Sequence, residues 1–173
     1  MKPTRRFLPL SFGLLSCSAL CFLSWPAKRG LRAGRAAMPG EVRLVIVTGA
    51  SKGLGEAVVR RYGSAAAKEE GWRVAALARD LSALESLAED LGTGCLALKC
   101  DVSDASAVRQ AVQDSCTHFD CASPAALINN AAIYVKQSFA ELPVDTIDQL
   151  LDVNLKGSIY ATHAVLPSML KQK

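Results

Sequence analysis

Residues 43–59 read R-L-V-I-V-T-G-A-S-K-G-L-G-E-A-V-V. The apolar, largely β-branched run Leu44–Val47 ends at Thr48. Gly49, Gly53 and Gly55 follow at G-x-x-x-G-x-G spacing, and a helix-forming run takes over. The pattern predicts a strand, a tight glycine turn and the start of a helix. Glycine admits positive φ and lets a ligand approach with no Cβ in the way. The free N–H groups of a helix's first turn, with the helix dipole behind them, favour phosphate. The stretch therefore reads as a pyrophosphate cradle behind the first strand of a doubly wound sheet.

Outward from this turn, strand and helix patterns alternate. A helix is expected from Leu54 to about Ala67, with Ala57, Val58, Tyr62 and Ala65 facing the sheet, and Gly71 ends it. Trp72–Ala78 has the length of a buried parallel strand. Asp80 is placed to cap a helix carrying Leu81, Leu84, Leu87 and Leu91, which Gly92 and Gly94 close. Cys95–Cys100 is a third strand. Asp101–Asp104 opens a helix with Val108, Ala111 and Val112 inward, and Ala125–Ile128 is a fourth strand. From Asp145 to Leu170 the pattern is helical, with Ile147, Leu150, Leu151, Leu155, Ile159 and Leu166 as its apolar series and Pro167 bending or fraying its last turn. Such alternation predicts an α/β, Rossmann-like, doubly wound parallel sheet of about four strands over residues 41–173.

The chain is 173 residues long, with a formal net charge of +4 that is unevenly placed. Residues 1–40 hold seven basic side chains and no acid, whereas residues 41–173 hold 13 basic and 16 acidic ones. A mildly acidic body carries no electrostatic footprint for nucleic acid. In residues 1–40, Lys2, Arg5 and Arg6 precede the apolar run Phe7–Trp25, and Lys28, Arg29, Arg32 and Arg35 follow it. A basic start before an apolar run resembles a secretory signal, the Arg-rich, acid-free stretch after it resembles a transit sequence, and the run's length also suits a membrane anchor. Residues 1–40 are accordingly expected to be a targeting leader or signal anchor outside the fold. A plastid reached through the secretory route is favoured, with the mitochondrion and endoplasmic reticulum as alternatives, and membrane contact is expected only through residues 7–25. Of the six cysteines none forms C-x-x-C, and His118 and His163 complete no zinc spacing. No metal site is expected, and the body's cysteines read as buried free thiols of a reducing compartment.

Four motifs in order carry a resemblance. Thr48-Gly49-Ala50-Ser51-Lys52-Gly53-Leu54-Gly55 resembles the T-G-x-x-x-G-x-G of the short-chain dehydrogenase/reductase family. Asn129-Asn130-Ala131-Ala132 resembles its N-N-A-G, with Ala132 where glycine is usual, and Asn154-Leu155-Lys156-Gly157 resembles its N-x-x-G. Asp101 closes the third strand where the family contacts adenine. The resemblance covers residues 43–173 and implies a nicotinamide dinucleotide held by Gly49, Ser51, Lys52, Gly53, Leu54 and Gly55. Asp101 and the backbone of Val102 would meet the adenine; Asn129 and Asn130 would tie the fourth strand to its neighbours while the small residues let the cofactor pass, so Asn129 and Ala131 count among the cofactor-binding residues. It also gives Asn154 a catalytic role, bending its helix and holding a water of the proton relay. Arg79 stands where NAD-binding folds usually place an acid for the ribose 2′-hydroxyl. Arg79 and Lys52 can together neutralise a 2′-phosphate, so NADP (NADPH) is the expected cofactor. The bland alternatives are a solvated Arg79 and Lys52, helix capping by Asp101, an ordinary turn at Asn129-Asn130 and a solvent-facing Asn154.

The family's proton-donating tyrosine lies in Y-x-x-x-K, with a serine upstream. Here Tyr62 is followed at that distance by Ala66, Tyr134 by Ser138 and Tyr160 by Ala164. The expectation is thus the first part of an NADP-dependent oxidoreductase acting on a small carbonyl or alcohol, with a 3-oxoacyl-carrier-protein reductase as one candidate by analogy. On this reading a truncated gene model or splice product accounts for the missing part, and this stretch alone is expected to be inactive. The competing expectation is a non-catalytic dinucleotide-binding or interaction module that pairs with a second copy through its last helix.

Overall fold

The computed structural model describes residues 42–172; the proposed leader, residues 1–40, lies outside them. Four strands form one parallel sheet: β1 (Arg43–Thr48), β2 (Trp72–Ala78), β3 (Cys95–Lys99) and β4 (Ala126–Ile128), in the order β3-β2-β1-β4. Val45 sits opposite Val74 on one side and Ala126 on the other, so β1 is the central strand on which the chain reverses its direction of growth. Ligands of open α/β sheets bind at such a switch point, outside the carboxyl ends of the strands.

Side-chain alternation along β1 divides the core in two. Leu44 and Ile46 join Ala75, Leu77, Val108, Ala111, Val112, Ala161 and Val165 on one face, under helices α4 (Ala105–His118) and α6 (Gly157–Lys171). Val45 and Val47 join Val59, Val74, Ala76, Leu84 and Leu87 on the other, under α1 (Gly53–Tyr62) and α3 (Leu81–Leu91). Covering both faces explains why the strands read as unbroken apolar runs rather than as alternating ones. Asp80 caps α3 through the Ala83 N–H, and Gly92 ends it at φ 64°, both as expected.

The structure departs from the expected helices in three places. The run Leu54–Ala67 is not one helix: α1 stops at Tyr62, and Ser64, in extended backbone, caps a short α2 (Ala65–Glu69) by accepting from the Ala67 N–H. Ala57 and Ala65 are exposed as a result, and Gly55, Val59 and Ala67 are the buried positions. The next helix opens at Ala105, with Asp104 rather than Asp101 as its cap. Finally, the expected helix Asp145–Leu170 is α5 (Val144–Leu151), a π-helical turn at Asp152–Lys156, and α6. Helix α6 runs through Pro167 to Lys171.

The apolar series assigned to that last region is also displaced. Leu151, Leu155, Ile159 and Leu166 are each about half exposed, whereas Gly157, Ala161 and Val165 are buried. Close packing selects the small side chains: a Cβ on Gly157 would lie 2.7 Å from Val102 Cγ2. The π turn holds one residue more than an α turn, so a single 3.6-residue period cannot be carried through it. Replacing Ile159 with Lys is therefore expected to shift unfolding free energy by no more than about 0.5 kcal/mol. Val165→Asn, which buries an amide, is expected to cost about 2 kcal/mol or more in urea denaturation. The reverse ranking would show that the large apolar residues face the core.

Candidate active site

Thr48 closes β1, and its hydroxyl is a three-way junction. Thr48 Oγ1 accepts from the Asn130 N–H at 3.0 Å and the Ala131 N–H at 3.1 Å, and donates to the Ile128 carbonyl at 3.4 Å. The Asn130 amide Nδ2 returns to the Thr48 and Gly49 carbonyls at 3.1 and 3.0 Å. The ends of β1 and β4, 80 residues apart in sequence, are thereby held side by side.

The glycine turn sits on this junction. Gly49 has φ +66°, and a Cβ there would lie 2.6 Å from Ala131 Cα; a Cβ on Gly55 would strike the Gly49 carbonyl oxygen. These two glycines are required by the protein's own packing. Gly53 differs: its φ is +61°, yet a Cβ would meet nothing within 4 Å. Its backbone faces open space on the cleft. Helix α1 starts there with Lys52 as its N-cap and no side-chain hydrogen bond, whereas Ser64, Asp80 and Asp104 cap α2, α3 and α4. First-turn N–H groups left without a side-chain acceptor are the donors an anion can take.

A cleft of about 960 Å³ opens over the carboxyl ends of the strands. Of the residues expected in the site, Gly49, Ser51, Lys52, Gly53, Arg79, Asp101, Val102 and Ala131 line it. Leu54, Gly55, Asn129 and Asn154 do not belong to its wall. Leu54 projects from α1 and is mostly exposed, and Gly55 is buried behind Gly49 and Asn130. Asn129 donates from Nδ2 to Thr162 Oγ1 at 3.2 Å and leaves its buried Oδ1 without a partner. Ala78, Cys100, Ala132, Ile133 and Val153 complete the wall together with Asp80 and Asn130. Ala78 ends β2 and Cys100 follows β3, so their position at a strand's carboxyl end was the sequence signal for them.

Asn154 lies in the π turn, and its side chain clamps the loop after β4. Its Oδ1 accepts from the Ile133 N–H at 2.8 Å and its Nδ2 donates to the Ile133 carbonyl at 3.0 Å. The two bonds pin the backbone of one wall residue, and π turns recur at functional sites. What this geometry gives Asn154 is a positioning role.

Charge is distributed unequally along the cleft. Lys52 and Arg79 are exposed on its wall. Asp80 uses one carboxylate oxygen to accept from Ser82 Oγ and the Ala83 N–H. Asp101 accepts from Ser103 Oγ at 2.7 Å and the Ser103 N–H at 2.9 Å; these bonds, helped by the Arg79 charge, hold its carboxyl below the usual range. Burial pushes the Cys100 thiol up to about 11, with Asp101 and Asp104 adding to the effect. An apolar wall with two cations, a low-lying carboxylate and an open glycine turn fits a nucleotide of two or more phosphates. Lys52, Arg79 and the amides near Gly53 would hold its anionic groups, and Asp101 and Val102 would face its base.

A parallel α/β sheet with a glycine turn at its switch point defines a Rossmann-like nucleotide-binding domain. The chain belongs to the short chain dehydrogenase family, whose sequence model it matches over residues 43–173. Among curated proteins it is 30% identical over 133 residues to serine 3-dehydrogenase of Agrobacterium fabrum, covering 75% of this chain and 49% of that one. It is 32% identical over 130 residues to the NADP-dependent 3-hydroxy acid dehydrogenase YdfG of Salmonella typhi, covering 75% and 50%. Among solved structures it resembles serine dehydrogenase from Escherichia coli, with a TM-score of 0.63 at 28% identity over 75% of this chain and 57% of that one. The chain spans about half the length of the curated relatives it matches.

Removing the junction hydroxyl leaves the Asn130 and Ala131 N–H groups without their acceptor. Thr48→Val is expected to cost about 1–3 kcal/mol of stability in urea denaturation. For Asp101, whose folded pKa is depressed, the stabilising contribution is present above its unfolded pKa of about 3.9 and is lost as pH falls through the lower folded value. The pH dependence of stability of Asp101→Asn, compared with wild type, should therefore be flatter on the acid side and unchanged at neutral pH.

Proposed function

We propose that this chain forms the coenzyme-binding part of an NADP-dependent oxidoreductase that interconverts a small carbonyl and its alcohol. The coenzyme, when bound, supplies or accepts the hydride. The chain's own residues bind and orient it: the amides of the glycine turn meet the pyrophosphate, and Asp101 and Val102 meet the adenine. Asn154 holds the Ile133 backbone at the cleft wall. The observation that carries the choice of NADP is the pairing of exposed Lys52 and Arg79 on the cleft while Asp80 is engaged in capping α3. A guanidinium can take a phosphate through two parallel bonds. The substrate class is supported by the names of two relatives, a serine 3-dehydrogenase and a 3-hydroxy acid dehydrogenase. The organelle address read in residues 1–40 belongs to the same proposal and is tested by sequencing the N-terminus of the mature protein.

Arg79→Ala is expected to weaken NADPH binding about tenfold or more, from the ~1.5–3 kcal/mol of a hydrogen bond to a charged group, and to leave NADH binding unchanged. Equal losses for both coenzymes in calorimetry would remove Arg79 as the discriminator. The 173-residue polypeptide, lacking Y-x-x-x-K, should bind NADPH without appreciable ketone reduction, since acid–base assistance is worth roughly 10²–10⁴-fold. Family-like NADPH oxidation by this polypeptide would refute that part.

A further inference from the structure

Helix α4 ends in a left-handed turn. Asp120 has φ +47°, the one non-glycine residue at positive φ among the described residues. The Cys121 N–H donates to the Cys116 carbonyl at 3.0 Å and the Asp120 N–H to the Thr117 carbonyl at 3.3 Å. These two bonds are the pair that defines a Schellman ending, with Asp120 in the position usually given to glycine. The motif sets the side chain after the left-handed residue against the one five positions earlier, normally as an apolar contact. In this chain those two side chains are both cysteines, Cys121 and Cys116. Each is partly exposed, and both pack against the same core cluster.

We propose that Cys116 and Cys121 are a modification site: a reversible intramolecular disulfide, formed by exchange with a low-molecular-weight disulfide, that ties the end of α4 to the loop leading into β4. Burial raises both thiols, Cys116 to about 12 with the neighbouring Cys121 contributing. On Cys121 the hydrogen bonds from Cys116 and the Ser123 backbone oppose burial, while the Asp120 charge adds to it. The exchange opens at Cys121. Its thiolate attacks one sulfur of the small disulfide, forming a mixed disulfide and expelling one small thiolate. That thiolate takes the Cys116 proton. Cys116 then attacks Cys121 Sγ, forming the internal S–S bond and expelling the second small thiolate, which leaves as thiol once it takes a proton from water. In sum, two protein thiols are oxidised and one small disulfide is reduced to two thiols. The loop from Phe119 to Ala125 leads into β4, and the segment after β4, bonded to Thr48, lines the cleft from Asn130 to Ile133, so the tie restrains the strand that leads into that wall.

The test uses the full chain under native conditions with oxidised glutathione, followed by alkylation and tryptic mass spectrometry. The peptide Gln110–Lys136 contains Cys116 and Cys121 and no other cysteine, and Cys95 and Cys100 fall in two different peptides. The expected result is a Gln110–Lys136 peptide lighter by two hydrogens that takes up no alkyl group, reverting to a doubly alkylated one after a dithiol reductant. Hydrogen exchange at residues 117–123 should be slower in the oxidised form. A peptide that still takes up two alkyl groups, or that stops at a stable glutathione adduct, overturns the proposal. A disulfide that forms without slowing that exchange overturns its locking role.

Discussion

The Thr48 hydroxyl is the constraint on which the site depends. One side-chain oxygen accepts two backbone N–H groups of the segment after β4 and donates to the last carbonyl of that strand. With the return bonds from Asn130 to the Thr48 and Gly49 carbonyls, it fixes where the glycine turn stands relative to the loop across the cleft. Everything above it is built to that spacing. Gly49 and Gly55 have no Cβ because Ala131 and Asn130 already occupy the space. Gly53, one turn further out, is free of protein contact on the side where the cleft opens. The same turn therefore contains glycines required by packing and a glycine left open to a ligand.

A second clamp works from the opposite wall. Asn154, in the π turn between α5 and α6, grips the backbone of Ile133 through both atoms of its amide. Three residues on, Gly157 lets α6 close onto Val102, so the wall facing the proposed adenine position is set by the same segment. The π turn and the N-x-x-G pattern thus have one physical meaning. The asparagine ties the loop after β4, and the glycine brings the helix against the end of β3.

Much of this was legible in the sequence, for identifiable reasons. The strand runs and the caps at Asp80 and Gly92 are local signals, and they fall where the residues predict. The parallel sheet followed from alternation, and the glycine turn from its spacing. Three features were not legible. The break at Gly63-Ser64 depends on Ser64 being an N-cap inside a run of good helix formers. The buried face of α6 uses Gly157, Ala161 and Val165, small residues that hydropathy ranks below the exposed Leu155, Ile159 and Leu166. The removal of Leu54 and Gly55 from the cleft wall is a matter of direction: one points out from α1 and the other is buried beneath the turn.

A dinucleotide bound as proposed lies against the amides around Gly53, within a site held together by Thr48. Hydrogen–deuterium exchange with and without NADPH tests it most directly. Exchange should slow on binding at residues 49–55 and 130–133 and stay the same at the N-terminal ends of the strands. Unchanged exchange across the glycine turn at coenzyme concentrations that saturate any binding seen by calorimetry would contradict it.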